Sequence, residues 1–88
     1  MKTFTLFTAS WCAPCKELKS WLVSNNIKLD IKIIDIDEEP ELAGKVMIDL
    51  LPTLVVDSGE ISLQLLEGRE EIKPYLEYLN AKGSMPNS

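Results

Sequence analysis

The chain has 88 residues, 45% of them hydrophobic and 26% charged, the make-up of one small folded domain near the size where a single core only just suffices. Its formal net charge of −5 argues against a phosphate-binding surface, because nucleic-acid binding relies on Lys and Arg neutralising phosphates, so no nucleic-acid partner is expected. No apolar run approaches the length of a membrane span and no signal-peptide stretch follows Lys2, so no membrane association is expected and the chain is assigned to the cytoplasm. Thiols stay reduced in that compartment, and a close cysteine pair there reads as catalytic rather than structural.

Residues 2–8 alternate and mix Phe4, Leu6 and Phe7 with threonines, which predicts a buried strand. A helix is predicted over 13–24, with Cys15, Leu18 and Leu22 at helical spacing, Trp21 beside them and Asn25-Asn26 ending it. Residues 29–36, rich in isoleucine, predict a second strand, buried on much of both faces as parallel strands tend to be, and the resulting βαβ unit should cross over right-handed. Asp35, Asp37, Glu38, Glu39 and Glu41 form an acidic cluster. It reads as the solvated start of a helix, where the dipole favours carboxylates, in preference to a metal site. Pro40 agrees with that start, and Leu42, Val46 and Met47 supply a short apolar face.

Leu50-Leu51-Pro52-Thr53 then leads into the apolar run Leu54-Val55-Val56. The turn Asp57-Ser58-Gly59-Glu60 and the alternation of Ile61, Leu63 and Leu65 with Ser62 and Gln64 predict a hairpin whose second strand is half exposed. A last helix follows Gly68, with Ile72, Tyr75, Leu76 and Leu79 on one face. Pro74 would remove an N–H from its ladder, so a loose first turn or a start nearer Ile72 is expected. The order is β-α-β-α-β-β-α, an α/β domain over 1–82, with 83–88 a polar, poorly ordered tail.

The chemistry is concentrated in Trp11-Cys12-Ala13-Pro14-Cys15-Lys16, which holds the only two cysteines. A thiol at a helix start sits among unpaired backbone N–H groups and at the positive end of the helix dipole, and both favour thiolate. Cys12 is therefore the better nucleophile. Cys15, one turn in, is close enough to attack a mixed disulfide formed at Cys12, so the pair can pass two electrons with no cofactor. Pro14 suits a first turn, where a missing N–H costs nothing, and Lys16 adds a nearby cation. A structural zinc site wants four Cys or His ligands, and two Cys with no His would need a second chain. No metal is expected. An inert disulfide between residues this close would restrict the unfolded chain little.

This segment resembles the active site of the thioredoxin family, which usually reads Trp-Cys-Gly-Pro-Cys-Lys, and the resemblance covers roughly residues 2–82. It implies the minimal thioredoxin-like fold: a four-stranded mixed sheet of order 2-1-3-4, the first and last helices on one face and the short middle helix on the other. It implies a protein-disulfide reductase acting on disulfide-containing proteins, monomeric, and recycled by a flavoprotein thioredoxin reductase or by glutathione. Leu51-Pro52-Thr53 resembles the family's cis-proline segment, so the Leu51 backbone would pair with an extended stretch of substrate while Cys12 holds its sulfur. Trp11, Ala13, Pro14, Leu51 and Gly68 would form an apolar rim around one reactive sulfur, with Pro52 helping to hold the substrate.

Two departures stand out. The family's buried aspartate before the cysteines is Leu6 here, and its lysine partner is Ile33, which leaves deprotonation of Cys15 to water, to a carboxylate such as Asp49 or to the substrate. Leu50 replaces the small residue two before the cis-proline. A glutaredoxin-type, glutathione-dependent enzyme fits the length and the missing Asp–Lys pair, but its Cys-Pro-Tyr-Cys motif is absent and Glu67-Gly68-Arg69-Glu70-Glu71 only partly resembles a glutathione anchor. A binding module that uses the same rim without redox chemistry is the reading from a different class.

Overall fold

The structure, a computed structural model, describes residues 2–46, 48, 50–59 and 63–83, with residues 82 and 83 described by their backbone alone. Its elements are β1 (Thr3–Thr8), α1 (Ala13–Ser24), β2 (Ile31–Asp35), α2 (Pro40–Lys45), β3 (Thr53–Asp57), β4 (Leu63–Glu67) and α3 (Arg69–Gly83). The four strands form one sheet in the order β2-β1-β3-β4, with β1 and β2 parallel and the other pairs antiparallel.

Alternation along the central strands divides the core in two. Leu6 of β1 and Leu54 and Val56 of β3 point to one face, where Leu18 of α1 and Ile72 and Leu76 of α3 close over them. Phe7 and Val55, each one residue out of phase, join Ile34 on the opposite face, where Leu42 and Ala43 of α2 and Val46 after it pack. The helices are thus distributed as the family resemblance implies. β3, buried at Thr53, Leu54, Val55 and Val56, is enclosed on both faces over most of its length, as is the second half of β1. Each such fully buried aliphatic side chain contributes about 1.5–3 kcal/mol relative to an exposed one.

β2 departs from expectation. Only Ile34 is buried, while Lys32 and Ile33 lie exposed, because β2 is an edge strand with pairing on one side only. β4 differs too. Leu66, not Leu63 or Leu65, faces the larger core, because it is registered with Leu54 across the antiparallel pair. Leu63 and Leu65 lie on the α2 side, 50% and 36% exposed, where the six-residue α2 leaves them uncovered. Glu60, Ile61 and Ser62 of the predicted hairpin, like Met47 of the middle helix's apolar face, lie outside the described residues.

α1 stops where its asparagines predict. The Asn25 N–H and side-chain amide both donate to the Trp21 carbonyl, Asn26 adopts φ 53°, and the Ile27 N–H closes back onto the Leu22 carbonyl at 3.1 Å, a left-handed C-terminal cap. α3 begins at Arg69 rather than near Ile72, its first turn closed by N–H groups of Glu71 and Ile72 on the Gly68 carbonyl. Pro74 is accommodated because it and Glu70, the residue whose carbonyl loses its partner, both lie exposed, where water can replace the missing bond. The helix runs through Gly83, one residue into the predicted tail, and residues 84–88 lie outside the described residues. Its far end is tied to the loop after α1 by Asn80, whose amide accepts from the Lys28 N–H at 2.8 Å and donates to the Asn26 carbonyl.

α1 and α3 are also clipped together at their solvent edge. Glu17 pairs with Arg69 and, at 2.8 Å, with Lys73, whose ammonium lies 5.7 Å from the centre of the half-buried Trp21 ring. Beneath this edge the Tyr75 hydroxyl is buried with no hydrogen-bond partner among the described residues, and burial raises its pKa above the ordinary 10.0. A raised folded-state pKa means the unfolded chain ionises first, so stability present below pH 10 is lost as pH climbs through the folded value. Tyr75→Phe should stabilise the fold by about 1 kcal/mol and flatten the loss of stability above pH 10, as urea denaturation at pH 7 and pH 10.5 would register.

Candidate functional site

Thr8 ends β1 with its hydroxyl donating to the Ile34 carbonyl at 3.4 Å, and the Ile36 N–H reaches the Thr8 carbonyl at 2.9 Å. From this fixed strand end the chain turns once, through a bond from the Cys12 N–H to the Ala9 carbonyl, and enters α1. Cys12 is the N-cap residue itself, with extended backbone (φ −92°, ψ 108°), and its Sγ accepts the Cys15 N–H at 3.2 Å. Sulfur takes the place of the Ser or Asp oxygen usual at this position, which directs an otherwise unpaired helix N–H at Cys12 Sγ. The two cysteines form a disulfide, Cα atoms 5.2 Å apart, so the site is in its oxidised form. Cys12 is 7% exposed and Cys15 not at all, so a visiting molecule reaches Cys12 alone.

The surroundings of the sulfurs are apolar. Ala9 packs with the cysteine pair, bounded by Ile36 and Leu51, and Leu6 is wholly buried in the core. Leu6 is registered with Ile33 across β1 and β2, so the two apolar replacements occupy paired positions of the sheet. Asp49, the carboxylate considered as a proton acceptor, lies outside the described residues.

Opposite the cysteines the Leu51–Pro52 peptide bond is cis. Pro52 and Thr53 are buried, the Thr53 hydroxyl donates to the Leu50 carbonyl, and the Pro52 carbonyl accepts the Gly68 N–H at 2.8 Å. Gly68, at φ 86°, both receives the end of β4 and opens α3, so one residue couples the proline loop to the last helix. The expected rim is divided. Trp11, Cys12, Ala13, Pro14 and Leu51 share an open groove of 480 Å³ with Ile36, Ile48 and Leu50. Gly68 instead lines a neighbouring groove of 370 Å³, in which Pro14, Leu50, Leu51 and Pro52 take part.

Trp11 is 65% exposed, a rim residue and no part of the core. Its indole Nε1–H donates to Asp37 Oδ2 at 2.8 Å. That corrects the reading of the acidic cluster as one helix start. Asp35 closes a turn, its carbonyl accepting from Glu38 and Glu39 and its carboxylate from the Asp37 N–H, and only Glu41 lies in the first turn of α2. Among the described residues no group of three or more His, Cys, Asp or Glu is arranged to hold a metal. Ile36, Ile48 and Asp37 escape sequence reasoning because they enter the site from the loops after β2 and after α2, distant in sequence from the cysteines, and no local spacing marks them.

Fold and site together define a class: a βα junction that presents one sulfur of a vicinal dithiol, faced by a cis-proline loop. The chain belongs to the thioredoxin family, whose model, described as Thioredoxin, matches residues 2–80. A Staphylococcus aureus protein named thioredoxin is 39% identical over 54 residues, which cover 57% of this chain and 52% of that one. The chain thus matches about half the length of such curated relatives. Among solved structures, an oxidised thioredoxin of Plasmodium falciparum superposes with a TM-score of 0.70 at 25% identity, covering 90% of this chain and 81% of that one. Oxidised thioredoxin O2 of Arabidopsis thaliana gives 0.69 at 26% identity, covering 91% and 76%.

Gly68 provides a direct check on this frame. A Cβ there would meet only Leu50 Cδ2, at an ordinary 4.0 Å, so the cost of a side chain is conformational rather than steric. Gly68→Ala should lower stability by about 1–2 kcal/mol, the penalty of the left-handed region for an L-residue, measured by thermal or urea unfolding of the oxidised protein.

Proposed function

We propose that the protein is a thiol–disulfide oxidoreductase that reduces disulfides in protein substrates, and that its own dithiol carries the electrons without a cofactor. The observation that carries this reading is the Cys15 N–H aimed at the Sγ of a Cys12 that is the more accessible of the pair, beside an apolar groove. In the reduced protein that N–H stabilises a Cys12 thiolate, and a charge-assisted bond of this kind is stronger than a neutral one.

The Cys12 thiolate attacks one sulfur of the substrate disulfide. A Cys12–substrate bond forms, the substrate S–S bond breaks, and the departing sulfur takes a proton. Cys15, as thiolate, then attacks Cys12 Sγ, closing the Cys12–Cys15 disulfide and releasing the second substrate thiol. Two electrons and two protons reach the substrate. With Leu6 in place of a buried carboxylate, the Cys15 proton leaves to water or to the departing sulfur. Trp11, Ala13, Pro14 and Leu51 hold the substrate, the Leu51 backbone pairing with it as a short added strand, while buried Pro52 shapes the loop beneath and Gly68 anchors it.

A flavoprotein thioredoxin reductase or glutathione regenerates the dithiol. The same reading takes the protein as a cytoplasmic monomer, since a reducing compartment keeps the dithiol charged for the next cycle. Cys15→Ser should trap a mixed disulfide through Cys12 that survives non-reducing electrophoresis, whereas Cys12→Ser should trap none. Accumulation through Cys15 would reverse the assigned roles.

A further inference from the structure

The two grooves beside Cys12 differ in character, and one residue stands between them. The first is apolar, walled by Trp11, Ile36 and Ile48. The second is bordered by Glu67 at the end of β4 and by Glu70 and Glu71 in the first turn of α3. Leu50, 51% exposed, lines both, so it forms the divide, with Leu51 and Pro14 at its foot. Arg69 also lines the second groove, but it is one guanidinium against three carboxylates, and its ion pair is made with Glu17, which it shares with Lys73. Glu71 accepts the Glu67 N–H at 3.2 Å, while the Glu67 and Glu70 carboxylates have no ion-pair partner among the described residues. At the Trp11 wall of the apolar groove the exposed Asp37 carboxylate accepts the indole N–H at 2.8 Å, so a carboxylate stands beside this groove as well.

Resting on the reductase reading, we propose that the protein selects substrate segments that place a large apolar side chain on one side of the attacked cysteine and a lysine or arginine on the other. The apolar side chain fills the Trp11–Ile36–Ile48 groove, where its burial stabilises the encounter. The cation lies against Glu67 and Glu70, and Leu50 keeps the two side chains apart. An acidic segment meets the Glu67 and Glu70 carboxylates in one groove and Asp37 beside the other and is disfavoured, so charge acts here by exclusion as well as attraction. Leu50, where the family has a small residue, thereby becomes a specificity-determining position.

The test uses symmetric peptide disulfides in which each cysteine is flanked by leucine on one side and by lysine, glutamine or glutamate on the other, in both orders. Their reduction by the full-length dithiol protein is followed by chromatography of the released thiols. The lysine peptide should react about tenfold faster than the glutamate peptide at low ionic strength, and the ratio should shrink to about twofold in 0.5 M salt. A Glu67→Gln, Glu70→Gln double variant should collapse the ratio, whereas Glu41→Gln, Glu77→Gln, equal in net charge but away from both grooves, should keep it. Equal rates for all three peptides would overturn the proposed selectivity and leave the reductase reading intact, as would a ratio that falls equally in both double variants. Failure to reduce any peptide or an insulin disulfide would instead strike the reading beneath it.

Discussion

The bond on which the structure depends is the one from the Cys15 N–H to Cys12 Sγ at the first turn of α1. A helix begins with N–H groups that no carbonyl can serve, and one of them is here given a sulfur. Chain direction makes this possible. β1 is held between β2 and β3, its last residue is bonded to Ile34 and Ile36, and a single turn closed on Ala9 swings Cys12 into the N-cap position. On the proposed reading this bond generates the nucleophile, and it depends on a strand end held in place.

The remaining elements fix what can approach that sulfur. α3 packs through Ile72 and Leu76 onto the face that receives Leu18 of α1, and its first turn hangs from Gly68. Gly68 in turn is bonded to the Pro52 carbonyl, so the core of the domain sets the height of the proline loop above the cysteines. Trp11 is steadied from a third direction by Asp37 in the loop after β2. Three loops from distant stretches of chain therefore meet around Cys12, each anchored by a backbone or indole N–H. Leu50 at their centre gives the surface its relief.

Much of this is legible in the amino-acid sequence. Helical spacing of Cys15, Leu18 and Leu22, the alternation in Thr3–Thr8 and the asparagines after Ser24 each report a local rule that the fold obeys. The motif around the cysteines is local as well, and so it is readable. What escapes is set by neighbours. Residues 29–36 read as a strand covered on both faces, yet composition is silent on the edge position that exposes Lys32 and Ile33. Leu63 and Leu65 alternate as core residues should, but register with β3 gives Leu66 the core and leaves the other two beyond the reach of a six-residue helix. Pro74 argues against a helix start at Arg69 only if the Glu70 carbonyl is buried, and exposure is a tertiary fact. Asp37 belongs to an acidic run by sequence and to the indole of Trp11 by structure.

The central claim is that the first turn of α1 holds Cys12 as a thiolate near neutral pH. Its most direct measurement is the rate of alkylation by iodoacetamide across a pH series, read residue by residue on the reduced protein by mass spectrometry. The account predicts that Cys12 reacts well ahead of Cys15, and that its rate levels off well below the pH of about 8.5 at which a free cysteine is half ionised. A Cys12 that titrates like a model thiol, or that reacts no faster than Cys15, would contradict it.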